Sequence, residues 1–93
     1  MTTAKTLSAL FTSRGRCRVT ILVVETAGET YTLTELATEA GVTKGTVFRA
    51  LPGYLQCGLL EQLPDEKVYR ADPDAPLVEA LGQLIESIDS RDP

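Results

Sequence analysis

The chain has 93 residues, a length that suits one domain with a modest core. Its hydrophobic share of 43% and charged share of 24% are those of an ordinary soluble globule. No apolar run reaches the roughly 18 residues needed to cross a bilayer, and no membrane partner is expected. The formal charge of −4 hides an asymmetry. Residues 1–70 hold eight basic and seven acidic side chains, whereas residues 71–93 hold one basic and six acidic. The acidity therefore belongs to the C-terminal segment and leaves the rest free to approach a polyanion.

The first eleven residues, MTTAKTLSALF, carry one Lys and too short an apolar stretch for a secretory signal, so a cytoplasmic location is expected. Cys17 and Cys57 make no CxxC, and the chain has no histidine, so no tetrahedral zinc site can be completed. No metal or other cofactor is expected. The two thiols read as small apolar side chains, with a redox pair as the alternative, since Arg14, Arg16 and Arg18 surround Cys17. A phosphate-cradling glycine loop and paired catalytic carboxylates are both missing, so the chain does not read as an enzyme.

Leu7, Leu10 and Phe11 fall at i, i+3, i+4 and predict a short first helix. Gly15 and three arginines follow. Val19, Leu22 and Val23 then form the apolar face of a second helix that ends near Ala27-Gly28. The β-branched run Val19 to Val24 would equally suit a buried strand, but Cys17, Ile21 and Val24 extend the helical spacing and favour the helix.

Tyr31-Thr32-Leu33-Thr34-Glu35-Leu36 carries the signals of a helix start. Thr32 and Glu35 make a capping box, and Tyr31 with Leu36 a hydrophobic staple. Leu33, Leu36, Ala37 and Ala40 share one side of this third helix, and Gly41 closes it. Thr43 caps a fourth helix in which Val47, Ala50 and Leu51 point inward. Pro52 lacks the amide that would bond to residue 48, and it disfavours helical geometry at Leu51. The fourth helix is therefore expected to span residues 44–51, with a short turn continuing through Cys57.

Leu59 to Leu63 and Lys67 to Ala71 flank Pro64-Asp65-Glu66 as a hairpin. Asp72-Pro73-Asp74-Ala75-Pro76 turns into a last helix, residues 76–90, with Pro76 in its first turn. Leu77, Val78, Leu81, Leu84, Ile85 and Ile88 form a wide apolar stripe on it, opposite Glu79, Glu86 and Asp89. No linker or repeat divides the chain, so residues 1–93 are expected to form one domain.

The third and fourth helices have the pattern of a helix-turn-helix. Close crossing of two helices needs a small side chain at the contact, which Ala37 supplies, and a tight turn needs a residue tolerant of positive φ, which Gly41 supplies. Leu36, Ala40, Val42, Val47 and Ala50 fill the wedge between them. Together with the motifs LFTSRGRCRVTIL, LTELATEAGVTKGTVFRAL, GLLE and YRADPDAPLVEAL, this order resembles the winged helix-turn-helix transcription regulators of the ArsR/MarR-like superfamily, archaeal and bacterial. The likeness covers residues 7–88. The fold class is thus expected to be α+β, mainly α, with the order helix-helix-helix-helix-strand-strand-helix.

The resemblance implies a dimer that lays its fourth helix in the major groove of double-stranded DNA and sets its wing, residues 59–71, near the minor groove. Carried onto this chain, the reading face is Lys44, Gly45, Thr46, Phe48 and Arg49, with Thr43 at the helix start. Arg49 suits the O6 and N7 of guanine, Thr46 or Phe48 a thymine methyl, and Lys44 and Thr43 phosphate. Arg14 and Arg16, with Arg18, are candidates for backbone contact, or else a solvated basic face paired with Glu25 or Glu29. Lys67 and Arg70 are the wing's candidates. Three features depart from the pattern, the first being Pro52 within the fourth helix. Asp65 and Glu66 at the wing tip would repel phosphate, and the thiolates of the metal-sensing branch are missing.

The apolar stripe of the last helix exceeds what a small domain covers easily. Part of the stripe formed by Leu77, Leu81, Leu84, Ile85 and Ile88, joined by Leu7, Leu10 and Phe11 of the first helix, is therefore expected to meet a second copy, with packing wholly within one chain as the alternative. A two-fold homodimer favours a palindromic DNA site. Two functions follow: a dimeric, sequence-specific DNA-binding regulator acting as a repressor, or a winged-helix module for protein contacts in a larger transcription or replication assembly.

Overall fold

The computed structural model describes residues 2–64 and 67–91. Four of its five helices begin on a Ser or Thr whose hydroxyl accepts the amide three residues on, each such cap being worth about 1 kcal/mol. Helix α1 (Thr3–Phe11) starts after Thr2, α2 (Arg14–Glu25) after Ser13, α3 (Leu33–Ala40) after Thr32 and α4 (Lys44–Cys57) after Thr43. At Thr32 the capping box is complete, with the Thr32 amide donating to the Glu35 carboxylate at 2.9 Å. The last helix, α5 (Pro76–Asp89), has no side-chain cap and opens on Pro76, whose missing amide costs nothing there.

The run Val19 to Val24 is helical, with Val19, Val23 and Val24 buried. Helix α2 is the centre of the molecule and packs against α1, α3, α4 and α5. Its valines join Leu10, Leu36, Val47, Tyr54, Leu59 and Val78 in one contiguous core. Ile21, expected on the apolar side of α2, is instead exposed.

Two differences from the expected order matter. Tyr31 and Thr32 form a strand, β1, which the capping signals at the same residues mask in the sequence. With β2 (Glu61–Gln62) and β3 (Val68–Arg70) it makes a three-stranded antiparallel sheet in the order β1-β3-β2. The element order is therefore helix-helix-strand-helix-helix-strand-strand-helix, and the fold is α+β, mainly helical, of winged helix-turn-helix form. The wing's strands are shorter than the runs Leu59–Leu63 and Lys67–Ala71, because Leu59, Leu60 and Ala71 turn into the core instead of extending the ladder. The tip residues Asp65 and Glu66 lie outside the described residues.

The second difference is in α4, which does not stop at Leu51. It runs unbroken through Pro52 to Cys57 and ends at Gly58, in the left-handed region at φ 85°. Pro52 forfeits one hydrogen bond, to the carbonyl of Phe48. Both residues are on the exposed side, where water can take over that carbonyl. The residues around them hold the helix. Leu51 and Tyr54 are buried, and a Cβ on Gly53 would come within 3.0 Å of the Ala9 Cβ. Pro52-Gly53 is therefore not a helix stop but the place where α1 crosses α4 at close range.

Candidate nucleic-acid interface

Helix α3 ends in a Schellman turn. The amide of Val42 donates to the carbonyl of Ala37 at 2.9 Å and that of Gly41 to Thr38 at 3.2 Å, with Gly41 at φ 71°. Ala37, 4% exposed, lies in the core shared by α3 and α4. The turn passes directly into Thr43, whose hydroxyl accepts the Thr46 amide at 3.2 Å and lies 3.0 Å from the Thr46 hydroxyl. Two helices are thus joined by three residues with their terminal groups satisfied, which fixes the direction in which α4 emerges.

That direction is outward for three of the residues expected on the reading face. Val47, Ala50, Leu51 and Tyr54 bury one face of α4, while Lys44, Phe48 and Arg49 are exposed on the other. Phe48 is 68% exposed, a large aromatic ring left mostly in water. Thr46 is differently placed. Its methyl packs against α2, where a Cβ on Gly15 would lie 3.0 Å from it, and its hydroxyl is engaged with Thr43. Gly45 is half-buried beneath the Arg49 side chain.

The three arginines of α2 separate cleanly. Arg16 reaches back to α1 and donates to the carbonyl of Ala9 at 3.3 Å, and Arg18 donates to the carbonyl of Gly41 at 3.4 Å. Each guanidinium therefore caps the C-terminal end of a neighbouring helix, where free carbonyls and the helix dipole favour a cation. Arg14 is exposed and makes no such bond among the described residues; the next residue, Gly15, lies against Thr46 at the start of α4. Nothing in the linear spacing of the three marks these capping roles, because their partners lie 7 and 23 residues away. Neither Glu25 nor Glu29 forms an ion pair with these arginines among the described residues.

In the wing, Glu61 and Arg70 face each other across β2 and β3, with Arg70 Nε 2.6 Å from Glu61 Oε1. This hydrogen bond to a carboxylate holds the Arg70 guanidinium above its ordinary range, and its charge is largely matched locally. Lys67, the other wing candidate, is exposed.

Of the residues expected to face a second copy, Leu10 and Leu81 are buried within this chain's own core, at 0% and 7% exposure. Phe11, Leu77 and Ile85 are half-buried against it. Leu7, Leu84 and Ile88 remain exposed. No helix among the described residues is long and apolar enough to cross a membrane, and no cluster of three or more potential metal ligands occurs among them.

Residues 21–64, from the middle of α2 to the end of β2 and just beyond, match the IclR helix-turn-helix domain. The matched span includes α3, the turn and all of α4. It supports a helix-turn-helix DNA-binding domain of a transcription regulator, and it does so through the IclR type and not the ArsR/MarR-like superfamily specifically. No curated protein and no solved structure matches the chain significantly.

Proposed function

We propose that this chain binds double-stranded DNA in a sequence-specific manner and regulates transcription as a dimeric repressor, reading the major groove with α4. The observation that carries this is the two-sidedness of α4 within the matched span. Its buried face is anchored by Val47 and Tyr54, and its free face presents Lys44, Phe48 and Arg49 together. Arg49 has the donor geometry for guanine, Phe48 suits a thymine methyl, and Lys44 with Thr43 suits phosphate. Arg14, on the neighbouring end of α2, extends the cationic surface.

The wing has a smaller part in this proposal than the ArsR/MarR-like resemblance implies. Arg70 is tied to Glu61, which leaves Lys67 as its free cation among the described residues. That same pairing favours a second function, a winged helix used for protein contacts, in which exposed Phe48 would enter an apolar pocket on a partner. Residues 1–93 act in either case as one domain. As a DNA binder in the cytoplasm, it holds a two-fold partner through Leu84 and Ile88 of residues 76–90 together with Leu7 of α1, and favours a palindromic site.

Titration of wild-type protein with a random pool of duplexes at 50 and 200 mM salt tests the proposal. A binder that neutralises about four to six phosphates loses roughly a hundredfold in affinity over that range. Binding that is absent, or indifferent to salt and sequence, rules the DNA-reading function out and leaves the protein-contact function.

A further inference from the structure

Arg49 follows Gly45 by four residues, so the two share one face of α4. Side chains on a helix lean toward its N-terminus, and Arg49 therefore lies back over the turn that contains Gly45. The fit is close. A Cβ built on Gly45 would stand 3.1 Å from Arg49 Nη1 and 3.8 Å from its Cζ, with the Thr43 hydroxyl also 3.8 Å away. A methyl at position 45 would press on the guanidinium, which would have to give by a few tenths of an ångström. The guanidinium also brings its charge, with that of Lys44, to the positive end of the helix dipole, where a cation is not attracted. Packing against bare backbone, not electrostatics, accounts for its place.

We infer that Gly45 is a positioning residue for Arg49: its missing side chain lets the guanidinium lie along the first turn of α4, and so selects which base pair Arg49 reads. This rests on the DNA-reading function proposed above. Gly45 is the second residue of α4, where glycine is less favourable than alanine for the helix. A methyl at 45 shifts the guanidinium by a few tenths of an ångström and a larger side chain by more, and a bidentate contact to guanine depends on placement at that scale.

The experiment measures base preference for wild type, Gly45→Ala, Gly45→Ser, Arg49→Ala and Gly45→Ala/Arg49→Ala against a randomised duplex pool, with thermal midpoints for each. Wild type is expected to show a preference at one base pair that Arg49→Ala abolishes; a bidentate contact is worth about tenfold to a hundredfold. Gly45→Ala, with a thermal midpoint at or above that of wild type, is expected to weaken that same preference roughly tenfold. It should have no further effect once Arg49 is gone. If Gly45→Ala and Gly45→Ser lower affinity equally for every sequence and keep the preference, Gly45 only makes room for the DNA backbone and the inference fails. If wild type shows no sequence preference at all, the DNA-reading function fails and the inference falls with it.

Discussion

The hydroxyl of Tyr54, fully buried in α4, donates to the backbone carbonyl of Arg16 in α2 at 3.1 Å. Thr20, also fully buried, lies 3.5 Å from the same hydroxyl and donates to the carbonyl of Leu10 in α1 at 2.9 Å. A short polar chain thus ties three helices together at one point beneath the surface. It sits two turns below Val47, so the orientation of the exposed Phe48 and Arg49 depends on it. A carbonyl oxygen has two lone pairs, so the Arg16 carbonyl can accept this bond beside its helical one.

Tyr54→Phe keeps the ring's packing and removes the donor. The Arg16 carbonyl then loses one of its two partners, and a loss of about 0.5–1.5 kcal/mol in folding stability is expected. Urea denaturation measures it. A loss near zero would mean that water replaces the phenol and that the three helices are held by apolar contact alone.

Burial also pushes the Tyr54 phenol above its ordinary pKa near 10, and the same holds for Tyr31, which lies beside Glu29. The folded state therefore holds these protons to higher pH than the unfolded chain does. Their contribution to stability is complete below the unfolded value of about 10 and declines as pH rises past it toward the folded values. Unfolding free energy measured from pH 8 to 11 should fall on the alkaline side, and Tyr54→Phe should make that fall shallower. An unchanged alkaline slope in the variant would place the effect entirely at Tyr31 or elsewhere.

The parts of this architecture that were legible in the sequence are those set by local rules. The capping box at Thr32 and Glu35, the left-handed Gly41, the cap at Thr43 and the apolar spacing of α4 and α5 all depend on residues within one or two turns. What escaped depends on distant partners. Strand β1 exists because β3, nearly forty residues later, supplies hydrogen bonds at Tyr31 and Thr32. The continuity of α4 through Pro52 depends on Ala9 accepting Gly53 at close range. Arg16 and Arg18 look like surface charge until α1 and α3 bring free carbonyls to them. On the candidate interface, the exposure of Lys44, Phe48 and Arg49 could be read from periodicity. The withdrawal of Thr46 toward Gly15 could not.

Gly53→Ala tests the helix crossing. Alanine gains about 1 kcal/mol in helix propensity over glycine. Against this, its methyl would meet the Ala9 Cβ at 3.0 Å, and overpacking of that kind costs about 1–3 kcal/mol. A net loss of up to about 2 kcal/mol is expected. Adding Ala9→Gly should restore much of it, a coupling visible as non-additivity in a double-mutant cycle. Additive effects would mean that α1 shifts freely over α4.

Lys44→Ala and Arg49→Ala should differ in kind. Removing a phosphate contact at Lys44 is expected to weaken binding to all duplexes alike and to reduce the salt slope by about one. Removing Arg49 is expected to cost about 1–3 kcal/mol on the preferred site and little on random DNA. Fluorescence anisotropy on one specific and one scrambled duplex separates the two. Equal losses for both variants on both duplexes would mean that Arg49 contacts phosphate and not a base edge.

The exposed stripe on α5 gives the last prediction. Leu84 and Ile88 are 49% and 59% exposed, four residues apart on one face, and Leu7 of α1 is 52% exposed. If these residues meet a second copy, a charge placed among them would be buried unpaired at the interface, which is strongly unfavourable. Leu84→Lys and Ile88→Lys are therefore expected to shift the protein from dimer to monomer in sedimentation equilibrium. Each side chain is already half in water in the single chain, so the monomer's far-ultraviolet circular dichroism should be unchanged. DNA affinity for a palindromic duplex should fall toward that for a single half-site, because the second α4 is no longer delivered in register. A wild-type protein that sediments as a monomer at every concentration removes the two-fold partner and leaves each α4 to bind DNA alone.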